Sequence, residues 1–360
     1  MAMDFHHVTL GQRVLFGAGR AAENVAAEVS RLGATRVMVV ASPAEEAAAQ
    51  QVCGAIDVAV FHDGVAPHVP IEGAEAARAV AAEYAIDLIV SVGGGSTTGL
   101  AKAVALTSGI PIVAVPTTYA GSEATDVWGL TEASRKTTGV DTAVLPVSVV
   151  YDAHLTLSLP MELSVASGLN AIAHCVDSMW APRADPINRA LGAEGIRALT
   201  DGLPAIQADP SNLDGREQTL YGAYLSAVAF ASAGSGLHHK ICHVLGGAYD
   251  LPHAQTHATV LPYVLAFNAP AAPDAERRMA AAFGSDTAVA GLNALRAALN
   301  APRALKDYGF DEAAIDEAVE LILPVVPSSN PRPVTADNLR DLLRSACSGN
   351  NFPSEKGHRS

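Results

Sequence analysis

Basic residues are scarce in this sequence of 360 residues. Lys and Arg together number 23 against 37 Asp and Glu, which gives a formal net charge of −14. Proteins that bind nucleic acid or an anionic membrane surface need a basic face, so this balance excludes both as expected partners. An anionic substrate must instead be attracted by a local cationic pocket.

Cysteine and long apolar runs are also scarce. The four cysteines show no CxxC spacing, which is typical of reduced thiols in a cytoplasmic protein. They are Cys53, Cys175, Cys242 and Cys347. No run reaches the roughly twenty apolar residues of a membrane span, and residues 1–13 are polar, without the apolar core of a signal peptide. We therefore expect a cytoplasmic protein with no membrane partner.

Hydrophobic residues make up 49% of the chain, and in its first half short apolar runs alternate with segments of helical spacing. Val37–Val40, Leu88–Val92 and Ile112–Val115 are apolar on both faces, as buried parallel strands are. The segments between them predict helices on both faces of an open parallel sheet. We assign residues 1–158 to this α/β domain.

The character of the sequence changes after Leu159-Pro160. Residues 159–350 carry helical patterns only, which predicts an all-helical second domain. One of its helices is expected to begin near Pro262, because proline is favoured in the first turn. Residues 351–360 are polar and predict a disordered tail.

Two small polar loops follow neighbouring predicted strands of the first domain. A strand that ends in three glycines and opens a helix lets backbone N–H groups approach phosphate oxygens, and loops at the carboxyl ends of adjacent strands form the ligand crevice of such sheets. We therefore predict a nucleotide site at Gly93, Gly94, Gly95, Ser96, Thr97, Thr117, Thr118, Tyr119 and Ser122. The strand Val37–Val40 ends in Ala41-Ser42-Pro43, without the acidic residue that favours a free ribose 2′-hydroxyl, so NADH and NADPH both stay open.

Histidines cluster in the second half of the chain. Five of the twelve fall between Gly236 and His257. His239 and His243 are four apart and share one helix face, and we expect Gly246-Gly247 to end that helix. Clustered neutral imidazoles either bind a divalent metal or transfer protons near neutral pH.

Together these motifs resemble the iron-containing alcohol dehydrogenase family, whose wider relatives include glycerol dehydrogenase and dehydroquinate synthase. Gly93–Lys102, Pro116–Thr125, the Asn170/His174 pair and the run His239–His253 carry the resemblance. It covers nearly the whole chain. It implies an N-terminal dinucleotide-binding domain, an all-α C-terminal domain, an active site in the cleft between them, NADH or NADPH as coenzyme, and a homodimer.

Within the family, the chain is most similar to members that use NAD(P)H to reduce the C=C bond of 2-maleylacetate, a dicarboxylate, to 3-oxoadipate in aromatic-compound degradation. This resemblance implies that charge develops on the ketone oxygen, which needs hydrogen-bond donors and a nearby acid. The candidates are His243, favoured as the acid, with His253, His174 and His239. Substrate contacts are expected from Asn170, Lys240 and Lys102, although Lys240 is equally compatible with a solvated helix position.

Two positions depart from the family pattern. The family's metal ligands, one Asp and three His, map onto Asn170, His174, His239 and His253, and Gly99 stands where the family has Asp. Because an amide replaces the only anionic ligand, we expect the enzyme to work without a metal and the site to be vestigial. Three histidines and a water can still bind zinc, which leaves that alternative open.

Three other functions are compatible with part of this pattern. A metal-dependent alcohol or polyol dehydrogenase of the same family is the main alternative, and Asn170 argues against it. A lyase of the dehydroquinate synthase type requires a metal and a more cationic phosphate pocket. A non-catalytic nucleotide-binding protein is compatible with the fold alone.

Overall fold

Six parallel strands form the sheet of the N-terminal half in the computed structural model, which describes residues 4–133 and 135–350. Their order is β1-β8-β5-β4-β2-β3, and a separate antiparallel pair is formed by β6 and β7. The strands are β1 (Arg13–Phe16), β2 (Val37–Val40), β3 (Val58–His62), β4 (Leu88–Gly93), β5 (Ile112–Pro116), β6 (Val127–Glu132), β7 (Arg135–Val140) and β8 (Ser148–Tyr151).

Helices cover both faces of this sheet, as the alternating pattern predicts. Val39 and Val90 face α1 (Ala21–Leu32) and α2 (Glu46–Cys53), whereas Met38 and Ile89 face α3 (Ile71–Glu83) and α4 (Gly95–Ser108). All residues of β2, β4 and β5 are buried, because each central strand is covered on both sides. The α/β fold of the first half is confirmed.

The β6–β7 hairpin is absent from the sequence prediction. It pairs Trp128 with Gly139, and a Cβ on Gly139 would lie 2.6 Å from Cζ2 of the Trp128 ring. The missing side chain of Gly139 therefore makes room for the indole. The hairpin also packs its Leu130 against the α3–α4 face of the sheet.

From residue 159 to residue 350, the described chain has helices as its only regular secondary structure, as predicted. They are α5 (Met161–Ser178), α6 (Pro186–Ala208), α7 (Leu213–Ala233), α8 (Leu237–Tyr249), α9 (His253–Asn268), α10 (Pro273–Phe283), α11 (Ala288–Ala298), α12 (Ile315–Ile322) and α13 (Ala336–Ser348). The predicted boundary between residues 158 and 159 falls in the segment that joins β8 to α5. In the part of the chain described, no helix is long and apolar enough to span a bilayer. The predicted disordered tail, 351–360, lies outside the described residues.

Two predicted helix limits are wrong. Gly246-Gly247 do not end α8, which continues to Tyr249 and is capped by Asp250 in the left-handed region at φ 52°. The helix predicted to begin near Pro262 is α9, which begins nine residues earlier at His253. Pro262 is tolerated inside it because the carbonyl of Ala258, which loses its N–H partner to the proline ring, accepts from the guanidinium of Arg296 instead.

Candidate active site

The two polar loops predicted to bind a nucleotide lie side by side. Gly93 pairs with Pro116 at the ends of β4 and β5, and the N–H of Thr117 donates to the carbonyl of Gly93 at 3.2 Å. A Cβ on Gly94 would lie 2.9 Å from Cγ2 of Thr118. Only glycine fits here, because the second loop closes directly over the first.

Helix α4 starts at Gly95, so its unpaired N-terminal N–H groups belong to the glycine corner. Gly93 adopts φ 153°, a conformation that L side chains rarely adopt. Gly95, Ser96, Thr118 and Ser122 are partly exposed there. The corner therefore has the backbone geometry of an anion site at a helix N-terminus.

A carboxylate that the sequence reasoning missed borders this corner. Oε1 of Glu45 accepts from the Thr117 hydroxyl at 2.6 Å, and Oε2 accepts from Ser42 at 2.9 Å and from Thr97 at 3.5 Å. The hydroxyls of Thr97 and Thr117, predicted as coenzyme contacts, are thus directed at Glu45. Because these two hydroxyls are bonded to Glu45, only the backbone N–H groups of the corner are left to contact a phosphate group.

Two predicted ligand contacts are corrected. Lys102 is 1% exposed, and its ammonium donates to the carbonyl of Thr125 at 2.7 Å and to that of Val127 at 2.8 Å, so it holds the loop before β6 and cannot reach a substrate. Burial also lowers the pKa of Lys102 to about 7. The Tyr119 ring is fully buried in the core of the helical half, where its hydroxyl accepts from Arg216 at 3.3 Å. Neither side chain is therefore exposed to a coenzyme or a substrate.

Six imidazoles from three helices form one cluster. The rings of His174 and His239 are stacked at 4.8 Å, and both contact the ring of Phe230. The ring of His257 lies 4.9 Å from that of His239 and 4.3 Å from that of His253. The members are His174 on α5, His238, His239 and His243 on α8, and His253 and His257 on α9. The structure thus brings together the four histidines predicted to be catalytic.

Asp177 fixes the position of α8 against α5. Its carboxylate accepts the backbone N–H groups of Gly236 and His239, each at 3.1 Å, and also pairs with Nδ1 of the His239 ring at 2.7 Å. A carboxylate at a helix N-terminus is favourable, because it satisfies orphan N–H groups and the helix dipole. With Nδ1–H donated to Asp177, His239 directs the lone pair of Nε2 into the cluster.

Burial keeps most of the cluster uncharged. It lowers the pKa of His174 to about 4 and that of His238 to about 3, and it lowers those of His239 and His257 well below the usual value. Burial also raises the pKa of Asp177 to about 7, although the three backbone N–H groups that donate to its carboxylate act to lower that pKa. These four imidazoles are therefore neutral near pH 7 and supply no positive charge for substrate carboxylates.

The rim of the cluster is formed by the remaining two histidines. His243 is half-buried and His253 is exposed, with ring centroids 6.5 Å apart. Lys240, the predicted substrate cation, is half-buried on the same helix, and its role stays a prediction. Asn170 is 2% exposed, one helical turn before His174.

The coenzyme loops and the imidazoles meet at Gly121. A Cβ on Gly121, which has φ 79°, would lie 3.7 Å from Cε1 of His174 and 2.8 Å from Cβ of Ala227 on α7. The loop after β5 therefore contacts both the glycine corner and the wall of the histidine cluster. The glycine corner, with its anion-site geometry, and the imidazole cluster are thus joined through this loop.

The sequence reasoning missed Asp177 and Glu45 and gave His257 no role. Asp177 follows His174 by three residues on the same helix face, which was a usable signal. His257 belongs to the histidine run that the sequence reasoning noticed. Nothing local marks Glu45, because its partners Thr97 and Thr117 are more than fifty residues away in the chain.

Comparison with known proteins agrees with this geometry. Residues 11–153 match the family model of iron-containing alcohol dehydrogenase, and residues 164–347 match the C-terminal model of the same family. The chain is 45% identical to maleylacetate reductase of Sphingobium indicum over 96% of this chain and 98% of that protein. Among solved structures, it is similar to an iron-containing alcohol dehydrogenase from Corynebacterium glutamicum (62% identity, TM-score 0.96, 98% and 99% covered) and to maleylacetate reductase from Agrobacterium tumefaciens (39%, 0.92, 98% and 100%).

Together with these matches, the two loops after β4 and β5 and the adjoining imidazole cluster define an oxidoreductase of the NAD(P)-dependent dehydrogenase class. Within that class, the chain belongs to the iron-containing alcohol dehydrogenase family.

The family's name implies an iron ion, and we tested the mapped ligands against one. Oδ1 of Asn170, Nδ1 of His174 and Nε2 of His239 are buried without a hydrogen-bond partner, but the set contains no carboxylate. Across 4–133 and 135–350, the only three His, Cys, Asp or Glu residues with ligand atoms all within 4.8 Å of one another are His238, Cys242 and His257, outside the mapped set. In this arrangement the mapped residues do not fit the ion.

The Gly99 departure has a steric cause. A Cβ at this position of α4 would lie 2.8 Å from Cγ2 of Val69, so the aspartate of the family pattern has no room. Val69 itself adopts φ 51°, which is unusual for a β-branched residue, and its side chain belongs to the same buried cluster as Leu100 of α4. The substitution removes a carboxylate from beside the glycine corner.

Proposed function

We propose that the chain is a maleylacetate reductase, which uses NADH or NADPH to reduce the C=C bond of 2-maleylacetate to 3-oxoadipate in aromatic-compound degradation. The observation that carries the proposal is the contact between the second coenzyme loop and the imidazole cluster at Gly121 and His174. The similarity to the maleylacetate reductases of Sphingobium indicum and Agrobacterium tumefaciens over nearly the whole chain supports the choice of substrate.

The reaction places specific demands on the cleft. The reduced nicotinamide gives a hydride to the alkene carbon β to the ketone, the electron pair of the C=C bond moves to the ketone oxygen, and an enolate forms. A proton on the adjacent carbon then gives the saturated ketone and the oxidised coenzyme. The protein must supply donors to the developing oxyanion and one transferable proton.

We assign these tasks to the rim of the cluster. His243 is the proposed acid, and His253, stacked beside it, is the proposed second donor. His239 presents an acceptor, because its Nδ1–H is donated to Asp177. His174 and His239 therefore act as a neutral, rigid wall that orients the substrate.

We also propose that the reaction is independent of a metal. Asn170 supplies no charge, so a divalent ion there would lack the compensation that the family's aspartate gives. In a metal-independent reaction, polarisation of the ketone falls to N–H donors on His243 and His253.

We further propose a homodimer in the cytoplasm that acts on a small dicarboxylate. The four cysteines are free and buried, which supports a reducing compartment. Size-exclusion chromatography with light scattering measures the oligomer.

The decisive experiment is a substrate comparison. Purified protein is expected to oxidise NADH with maleylacetate and to release 3-oxoadipate, identified by mass spectrometry, without added metal. Aldehydes and polyols are the comparison substrates. Turnover of these that requires iron or zinc, with none of maleylacetate, would show the chain to be a metal-dependent alcohol or polyol dehydrogenase.

A further inference from the structure

The strand order fixes the direction in which a dinucleotide lies, and this inference rests on the proposed function for its coenzyme. The nicotinamide must reach the imidazoles, which adjoin the loop after β5. The glycine corner follows β4, and β2 and β3 come next along the same edge. The adenosine end must therefore lie over the carboxyl ends of β2 and β3.

A cavity of about 290 Å³ lies at that place. It begins at Ser42, whose hydroxyl donates to the same Glu45 carboxylate that borders the glycine corner. The cavity and the corner are thus joined through one carboxylate. The lining residues are Ala41, Ser42, Pro43, Glu46, Gln50, Phe61, His62 and Asp63.

The lining combines an aromatic face with negative charge. Phe61 lies on β3, an edge strand of the sheet, and its side chain is 50% exposed. Glu46 and Asp63 are exposed carboxylates, and the lining contains neither Lys nor Arg. Burial also lowers the pKa of His62, so its imidazole is neutral near pH 7.

We propose that this cavity binds the adenosine end of the coenzyme and selects NADH over NADPH, with the adenine on Phe61 and with Glu46 and Asp63 repelling a 2′-phosphate. A ribose 2′-hydroxyl can donate a hydrogen bond to a carboxylate. A 2′-phosphate adds about two negative charges and offers only acceptors, and sites that accept it supply an arginine.

Isothermal titration of the coenzymes without substrate tests this proposal. Because like charges across an interface cost several kcal/mol, we expect NADPH to bind at least about tenfold more weakly than NADH. The Phe61→Ala variant is expected to bind both coenzymes about fivefold or more weakly, because it loses the stacked base. Equal affinity, or tighter binding of NADPH, in the unmodified protein would overturn the proposal.

Charge reversal separates the local effect from net charge. Glu46→Arg is expected to reduce the NADPH-to-NADH ratio of Kd to about threefold or less, whereas Glu320→Arg, the same change on an exposed face of α12, leaves the ratio within about twofold. Equal effects of the two variants contradict the proposal. If Glu46→Arg does not fold, the same titration is made with Asp63→Asn, which is expected to lower the NADPH-to-NADH ratio of Kd. An unchanged ratio in that variant contradicts the proposal. A chain that fails to reduce maleylacetate yet prefers NADH refutes the proposed function and leaves this inference standing.

Discussion

The buried imidazoles make a quantitative prediction about acid. An unfolded chain protonates its histidines below about pH 6.5, whereas burial keeps His174, His238, His239 and His257 neutral in the folded protein. The folded pKa values are lowered, so the unfolded state binds more protons, and the free energy of unfolding falls as the pH falls from about 6.5 toward 4.

The size of the effect follows from linkage. Between pH 6.5 and 5, the four histidines together cost about 6 kcal/mol of stability. Asp177 acts in the opposite direction, because its raised pKa of about 7 lets the folded state bind a proton, and this offsets about 2 kcal/mol of the loss over the same interval. The net expected loss is about 4 kcal/mol, a large part of the stability of an ordinary domain.

Urea denaturation followed by circular dichroism at the two pH values measures this loss. His238→Asn removes one titrating group and should make the pH dependence shallower. Leu237→Ala, a buried apolar neighbour, should lower stability at both pH values and leave the dependence unchanged. A free energy of unfolding that is flat between pH 6.5 and 5 would refute the neutral-cluster argument.

Three other outcomes are expected. His243→Ala should lower kcat by about a hundredfold or more while NADH binds as before, because only the acid is lost; near-normal turnover in steady-state kinetics would remove His243 from the mechanism. Dialysis against EDTA should leave activity unchanged, and finding one tightly bound iron or zinc per chain that activity requires would contradict metal independence. Gly99→Asp should destabilise the protein by about 1–3 kcal/mol in thermal denaturation, because its Cβ meets Val69; the matched change Gly73→Asp, at a helical glycine of α3 whose Cβ would meet only the carbonyl oxygen of Gly64 at 3.8 Å, measures the cost of the aspartate without the clash.

Much of the fold could be predicted because it depends on short, local patterns of apolar and polar residues. The two-faced apolar runs gave β2, β4 and β5, since a parallel strand covered on both sides has no polar face. The small polar residues after β4 and β5 predicted a crevice, because parallel strands end at the same edge. The spacing of His239 and His243 placed both on one face of a helix.

The remaining features depend on partners far apart in the sequence. The end of α8 is a local exception: glycine usually stops a helix, but Gly246-Gly247 lie inside α8, which continues to Tyr249 and is capped by Asp250 in the left-handed region. Pro262 suggested a helix start, and its place inside α9 depends on Arg296, 34 residues later. Lys102 looked like a substrate cation, and only the folded chain shows its ammonium enclosed by the carbonyls of Thr125 and Val127.

The link between Asp177 and the start of α8 has a consequence for anyone who transplants or redesigns this site. A Cβ on Gly236 would lie 2.5 Å from Oδ1 of Asp177, so the carboxylate and the bare backbone beneath it fit only as a pair. Homologues that replace one should replace the other, and a scaffold that copies the imidazoles alone would leave their helix without its anchor.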